Sequence, residues 1–193
     1  MLRDRAAAVI RLVGSVGTDH HPFPRFLEWV AAAEQQLGVE AMVQRGATPE
    51  LAGLTTVDYL PAEDLLAAMD AADVVVCHGG PGTIAAAIRC GHTPIVIARD
   101  PLLGEHVDDH QQRYTRKLRA GGSIELPADL PEFLSLVAAV QPRDVAALAS
   151  SVEAAAAEIT RSALHFGELV DELLAGRAPR RRWRDRVLVR RVP

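Results

Sequence analysis

Residues 74–87 read VVVCHGGPGTIAAA. The β-branched apolar run predicts a buried strand, and the alanine-rich run after it predicts a helix. Small residues between the two runs predict a tight turn that opens directly onto the helix. Such a turn presents backbone N–H groups and the positive end of a helix dipole above the sheet. We therefore expect residues 78–83 to bind an anion, of which phosphate is the commonest small example.

The rest of the chain predicts an α/β fold around this stretch. Strands and helices alternate at the spacing of βα units, which indicates a Rossmann-like parallel sheet with helices on both faces. Loops 14–19, 78–83 and 99–112 each follow a strand, so we expect them to converge on one crevice at the carboxyl ends of the strands. The other strands are expected at 7–13, 41–43, 55–60, 94–98 and 123–126, with helices at 23–37 and 61–72, one ending near 91 and one ending at 118.

The C-terminal part has a wholly helical pattern, over residues 130–140, 143–159 and 162–174. The last of these segments is amphipathic and can pack back on the domain. We therefore predict one domain over residues 1–176 that includes a helical C-terminal extension. Residues 177–193 lack a core pattern and are predicted to be a flexible Arg-rich tail.

Charge and cysteine content exclude several classes of protein. The net charge is −4, yet the tail holds eight arginines and one aspartate, so the body is strongly acidic. An acidic body argues against nucleic acid as the main partner. Cys77 and Cys90 lack the spacing of a disulfide framework or a zinc site, which indicates a reducing, cytoplasmic compartment. We find neither a leader pattern nor a run of about 20 apolar residues, and we expect a soluble protein.

Residues 100–112, DPLLGEHVDDHQQ, concentrate polar groups that no core requires. Carboxylates and amides are groups that hydrogen-bond sugar hydroxyls. Two other interpretations stay open. In one, Asp108 or Asp109 is the N-cap of a helix and the remaining polar groups are solvated. In the other, His106 and His110 bind a metal, with the two aspartates between them.

Several motifs in order carry a resemblance to a known family. Residues 78–84 (HGGPGTI), 91–96 (GHTPIV) and 109–112 (DHQQ) resemble the donor-binding half of family 28 glycosyltransferases. Residues 16–18 (VGT) resemble the opening of the stand-alone catalytic subunits in two-component members of that group. The resemblance covers about residues 8–126, and the loops in order are more specific than any one of them.

The resemblance implies a GT-B-type C-terminal domain that binds a UDP-sugar and performs inverting, metal-independent transfer without a further cofactor. The diphosphate is expected over residues 79–83, where helix N–H groups replace a cation. Backbone near residues 45–47 or Leu60 is expected to hold the uracil. The expected donor-binding residues are Gly17, Thr18, His78, Gly79, Gly80, Pro81, Gly82, Thr83, Glu105, Asp109, His110, Gln111 and Gln112.

Two features depart from the family pattern. Family members often place a carboxylate for the ribose hydroxyls three residues after the threonine of the glycine turn, where this chain has Ala86. GT-B enzymes also take the acceptor, and often the base, from a second domain. We expect His20 to be the base if this chain supplies one, with His21, Glu105 and His106 as alternatives.

These features predict a hexosyltransferase subunit that works with a membrane-attached, acceptor-binding partner on a lipid-linked or polysaccharide acceptor. Such a heteromer would lie in the cytoplasm, at the inner face of the membrane through its partner. Three alternatives are open for the Arg-rich tail: it binds an anionic membrane, it binds an acidic face of the partner, or it is a disordered tail that aids solubility. The alternatives are a non-catalytic nucleotide-sugar-binding or scaffold module and a UDP-sugar 2-epimerase-like enzyme.

Overall fold

The structure, a computed structural model, describes residues 9–143. The predicted helices over 143–159 and 162–174 and the Arg-rich tail fall outside the described residues, apart from Arg143. The predicted helix at 130–140 is present as Leu130–Ala138. No helix within residues 9–143 combines the length and the apolar composition needed to cross a membrane.

The described residues form a five-stranded parallel sheet in the order β3-β2-β1-β4-β5, which confirms the predicted Rossmann-like α/β fold. A short 3₁₀ turn over Pro101–Leu103 interrupts the connection after the last strand. The strands are β1 (Arg11–Ser15), β2 (Glu40–Gln44), β3 (Thr55–Val57), β4 (Val74–His78) and β5 (Ile95–Ile97), and the helices are α1 (Pro24–Leu37), α2 (Ala62–Ala71), α3 (Pro81–Arg89), α4 (His110–Ala120) and α5 (Leu130–Ala138).

Strand β4 lies at the centre of the core, and all five of its residues are buried. Val74 and Val76 belong to an apolar cluster that includes residues of α1 and α5, whereas Val75 and Cys77 belong to a second cluster with residues of α2 and α3. Side chains alternate between the two faces of a strand, so a strand covered on both faces must be apolar throughout. This is why its sequence is a continuous apolar run.

Three strands differ from the sequence prediction by more than one residue at an end. The first strand is Arg11–Ser15 rather than 7–13, because pairing with β2 and β4 continues through Gly14 and Ser15 despite their weak strand propensity. The third strand ends at Val57 rather than residue 60. The predicted sixth strand at 123–126 is a single bridge between Ile95 and Glu125, since Pro127 cannot donate a further ladder hydrogen bond.

The strand order reverses between β1 and β4, which are neighbours in the sheet although β2 and β3 lie between them in sequence. A crevice opens above the carboxyl ends of the strands at such a point. Gly17 follows the end of β1 and Gly79 follows the end of β4. The fold therefore places the predicted loops 14–19 and 78–83 on either side of this crevice.

Candidate functional site

The imidazole of His78 joins the first two loops. A Cβ built on Gly17 would lie 2.3 Å from His78 Cε1, and one built on Gly80 would lie 2.2 Å from His78 Nε2. Gly17 also has a φ of 77°, a conformation that favours glycine. Both glycines are therefore required by the close approach of this ring, which is 7 % exposed.

Burial lowers the pKa of His78 to about 4, and the nearby positive charge of Arg99 acts in the same direction. The Nδ1 atom lies 3.3 Å from the Ser15 carbonyl, an arrangement in which a neutral ring donates its proton to that oxygen. His78 is therefore uncharged at neutral pH and acts as a spacer between two glycine-rich turns.

Gln111 joins the third loop to the glycine turn. A Cβ on Gly79 would lie 2.7 Å from Gln111 Cβ, so the side chain of Gln111 packs directly on the turn. Gln111 is buried, and its Oε1 atom has no hydrogen-bond partner among residues 9–143. A buried acceptor without a partner costs free energy unless a ligand or water supplies a donor. The turn and the DHQQ motif therefore meet, as predicted.

The amino end of α3 faces the crevice without a side-chain cap. Gly80 is its N-cap, Pro81 and Gly82 are exposed, and no described side chain hydrogen-bonds to this end. A Cβ on Gly82 would meet nothing within 4 Å. The first N–H groups of a helix have no partner within the helix, so this end can receive an anion.

Arg99 was not identified from the sequence. Its guanidinium is fully buried and donates to the carbonyls of Val16 (3.0 Å), His21 (2.7 Å) and Glu105 (2.8 Å). It also lies over the Phe23 ring, with its Cζ 4.7 Å from the ring centroid. Arg99 thus ties the loop after β1 to the loop after β5. The sequence signal, an arginine directly after an apolar strand, does not distinguish it from a solvated residue.

Glu105, predicted to contact the donor, is instead engaged within the protein. Its carboxylate accepts hydrogen bonds from Arg25 (2.7 and 3.0 Å) and from the Asp100 N–H (2.8 Å), and the residue is 3 % exposed. Arg25 also donates to the Ala98 carbonyl. Both carboxylate oxygens are thus occupied, which fits a residue that positions the loop better than a base.

Two histidines follow β1 at the mouth of the crevice. His21 Nδ1 lies 2.6 Å from Asp19 Oδ1, and the His20 ring stacks on that of His21 with centroids 4.1 Å apart. Partial burial opposes ionisation of Asp19, but hydrogen bonds from His21 and the charge of Arg99 outweigh it and lower the pKa of this carboxyl. Asp19 is therefore an anion that orients His21, whereas His20 has only the stacking contact.

The loop after β5 brings further polar residues to the same mouth. His106 Nε2 lies 3.4 Å from Asp19 Oδ2, and its Nδ1 lies 3.6 Å from Asp108 Oδ1. The same Asp108 oxygen contacts His110 Nδ1 and accepts the His110 N–H at 3.1 Å. Asp109 stands at the N-cap of α4 without a side-chain capping bond, so of the two candidate caps Asp108 supplies the hydrogen bond to the first turn.

The other predicted donor-binding residues differ in exposure and contacts. Thr18 is exposed and Thr83 is half-buried. Gln112 Oε1 accepts a hydrogen bond from Arg116 at 3.2 Å. Ala86 is half-buried and packs against the second apolar cluster, so the position of the missing carboxylate is apolar. The Leu60 N–H, near the predicted uracil contacts, already donates to Gln44 Oε1.

A known protein family matches this chain. The sequence model described as "Glycosyltransferase family 28 C-terminal domain" matches residues 30–141. The chain belongs to glycosyltransferase family 28. The match includes β4, α3 and the 109–112 motif, and it ends just beyond α5. The finding supports a glycosyltransferase.

Two solved glycosyltransferases with the GT-B fold resemble the domain. The glycotransferase of kitacinnamycin has a TM-score of 0.52 at 19 % identity, covering 79 % of this chain and 40 % of that one. The calicheamicin glycosyltransferase CalG4 has a TM-score of 0.52 at 17 % identity, covering 89 % of this chain and 45 % of that one. The chain thus spans less than half the length of either protein. A search of curated protein sequences gave no match.

Proposed function

We propose that this chain is the donor-binding half of a hexosyltransferase that uses a UDP-sugar and modifies a lipid-linked or polysaccharide acceptor. One observation carries the proposal: the uncapped amino end of α3 lies beside the Gly79–Gln111 contact, in the crevice where the strand order reverses. An anion-binding helix end next to a buried, unpartnered amide suits a ligand with both a phosphate and a hydroxyl-bearing ring.

The helix end would hold the diphosphate without a metal ion. N–H groups of Gly82 and Thr83 and the helix dipole would stabilise the negative charge that grows on the departing UDP. Gln111 Oε1 would accept a hydrogen bond from a sugar hydroxyl, which would satisfy its missing partner. His110 and Gln112, on the same helix, would contact the remainder of the sugar.

The base for an inverting transfer would be His21 rather than His20. Asp19 contacts His21 Nδ1 and leaves Nε2 to receive the proton of the acceptor hydroxyl, an arrangement that orients a general base. The acceptor oxygen would then attack the anomeric carbon as its bond to UDP breaks. His20 has only the stacking contact with His21.

A partner would supply the acceptor surface. The chain covers 40 % and 45 % of the length of its two structural neighbours. A membrane-attached subunit would bring the lipid-linked acceptor to the crevice. The Arg-rich tail would add contacts to an anionic membrane surface or to an acidic face of this subunit.

Gly82→Asp tests the proposal with little effect on the fold. The position is exposed and open, and a carboxylate in the first turn of a helix stabilises it. Position 80 is a worse choice, because any side chain that replaced Gly80 would collide with His78. We expect calorimetry to give UDP affinity at least about tenfold weaker in Gly82→Asp, since two negative charges would meet, and near-normal affinity in the isosteric control Gly82→Asn. Equal UDP affinity in both variants, or none in the wild type, would refute the proposal.

A non-catalytic nucleotide-sugar-binding module is the second candidate, and Ala86 favours it because the family carboxylate for the ribose is missing. His21→Ala distinguishes the two. For an enzyme, UDP affinity is retained while UDP release from UDP-hexoses, assayed with membranes that supply acceptors, falls by about 10²-fold or more. For a module, the wild type binds UDP but releases none from any donor.

A further inference from the structure

The mouth of the crevice holds a set of three metal-ligating side chains, of which the proposed transfer uses only His110. His106, Asp108 and His110 each offer a ligand atom, and these atoms lie within 4.8 Å of one another. His106 and Asp108 lie in the loop after β5, and His110 is the first residue of α4. Two imidazoles and a carboxylate form a ligand set that suits zinc.

One ligand distance suits a small ion, whereas a second pair of ligand atoms is in direct hydrogen-bond contact. In a tetrahedral zinc site with bonds of about 2.0–2.2 Å, the ligand atoms lie about 3.3–3.6 Å apart. His106 Nδ1 and Asp108 Oδ1 are 3.6 Å apart. His110 Nδ1 contacts the same carboxylate oxygen through a proton. A divalent ion can replace that proton, because metal binding to histidine and carboxylate ligands releases protons.

The hydrogen bonds of His106 indicate which ring nitrogen has a lone pair, which a metal would bind in place of the Asp108 N–H. The Asp108 N–H points at His106 Nδ1 at 3.4 Å, so Nδ1 is the acceptor and Nε2 carries the proton. Nε2 in turn faces Asp19 Oδ2 at 3.4 Å. A carboxylate behind the protonated nitrogen of a metal-binding histidine fixes its tautomer and its orientation.

Asp19 belongs to a different loop from the three ligands, and it is itself held in place. Its Oδ1 atom accepts the N–H of His21 at 2.7 Å and contacts the His21 ring. The support behind His106 is therefore built from the loop after β1, independently of the ligand loop. His92, by contrast, has its Nε2 atom within 2.7 Å of the Met69 carbonyl and 2.6 Å of an Arg143 nitrogen, which leaves that nitrogen closed to a metal.

We propose that His106, Asp108 and His110 bind one divalent transition-metal ion, with Zn²⁺ as the best match, and that Asp19 supports this site through His106. Three protein ligands leave a fourth position for water or for a ligand oxygen. The ion joins the loop after β5 to the start of α4. It is separate from the diphosphate contacts at α3, and the inference does not depend on the proposed transfer.

The test is a titration of the full chain, stripped with a chelator, with Co²⁺ and then with Zn²⁺ alone. We expect one ion per chain with micromolar or tighter affinity, the visible absorption of tetrahedral Co²⁺, and displacement of Co²⁺ by Zn²⁺. Proton release should accompany binding. Absence of binding up to millimolar Zn²⁺ would overturn the proposal.

Matched variants locate the ion. Asp108→Asn and His110→Ala should each weaken Zn²⁺ binding at least about tenfold, whereas the adjacent Asp109→Asn should leave it unchanged. Asp19→Asn should weaken binding about 10–100-fold while the Co²⁺ absorption at saturation retains its tetrahedral form. These positions are exposed or half-buried, so circular dichroism should report a normal fold. If His20→Ala abolishes binding and His110→Ala does not, the ion lies in the neighbouring Asp19–His20–His21 group and the proposal is wrong.

Discussion

The two edges of the sheet carry similar residues in different arrangements. At the amino edge, Asp73 accepts the N–H groups of Arg11 (2.8 Å) and Arg143 (2.9 Å), and His92 is held between Arg143 and the Met69 carbonyl. These contacts link segments that are far apart in sequence. The amino-edge cluster of Asp73, His92 and Arg143 is therefore explained by the fold alone.

The carboxyl edge has two layers. An inner layer contains Arg99 and the Arg25–Glu105 pair, which bind backbone groups much as the amino-edge cluster does. Above it lie Asp19 and the histidines of the crevice mouth, His21, His106 and His110. Their side chains mostly contact one another or Asp108. Residue type thus does not separate structural from functional polar groups.

Arg99→Met should produce the largest effect, because it removes a buried charge that holds three carbonyl groups of the crevice loops. We expect the free energy of unfolding to fall by about 3–5 kcal/mol, measured by urea denaturation. Arg119→Met is the control, because Arg119 is half-exposed and makes only a 3.6 Å contact with Glu132. Its loss should cost less than about 1 kcal/mol. Similar losses in the two variants would mean that the inner layer is not structural.

His78 should make stability depend on pH. Its folded pKa of about 4 lies below the value of 6.5 for an unperturbed histidine, so the unfolded chain binds the proton first. Its contribution is therefore complete above pH 6.5 and is lost as the pH falls from 6.5 towards 4, by about 3 kcal/mol in total. His78→Gln should flatten the unfolding free energy across this window.

His92→Gln is the amino-edge control for this pH dependence. Desolvation and the charge of Arg143 lower the pKa of His92 in spite of its bond to the Met69 carbonyl, but this ring is less deeply buried than His78. We expect His92→Gln to change the slope less than His78→Gln does. A larger change of the pH slope in His92→Gln than in His78→Gln would contradict the expectation that the more deeply buried ring has the larger effect.

Asp73→Asn should have the smallest effect and should separate stability from binding. One amide oxygen can replace only one of the two carboxylate acceptors, so the free energy of unfolding should fall by about 1–2 kcal/mol. UDP affinity should not change, because the residue lies at the opposite edge from the amino end of α3. A tenfold loss of UDP affinity in a folded Asp73→Asn variant would show that the two edges are coupled.

The fold could be predicted because its signals are local. A continuous apolar run, a glycine turn and a helical pattern fall within residues 74–87, and the strand–helix alternation fixes a parallel sheet. The convergence of loops 14–19, 78–83 and 99–112 followed from that topology. The last strand was overpredicted, since 123–126 has the right composition but pairs through a single bridge.

The inner layer could not be predicted, because it depends on contacts between distant segments. Arg99 and Val16 are 83 residues apart, and Arg25 and Glu105 are 80 apart. A charged residue in a loop sequence is normally solvated, and nothing local marks these as buried. The sequence favoured His20 over His21 as the base, but it could not show that the Asp19 side chain contacts His21. The choice of base itself stays a prediction.

The contact between Gly79 and Gln111 limits how this crevice could be redesigned. Gly79 lies in the loop after β4 and Gln111 in the first turn of α4, and a single methyl group at position 79 would displace the side chain at 111. Under the proposed function, a change of sugar preference sought through Gln111 would have to preserve the side-chain volume that packs on the turn. Gln112, half-buried and bonded only to the exposed Arg116 side chain through its Oε1, carries no such constraint. If the proposed function holds, a library that varies residue 112 while retaining Gly79 and Gln111 would test new donors without disturbing the turn before α3.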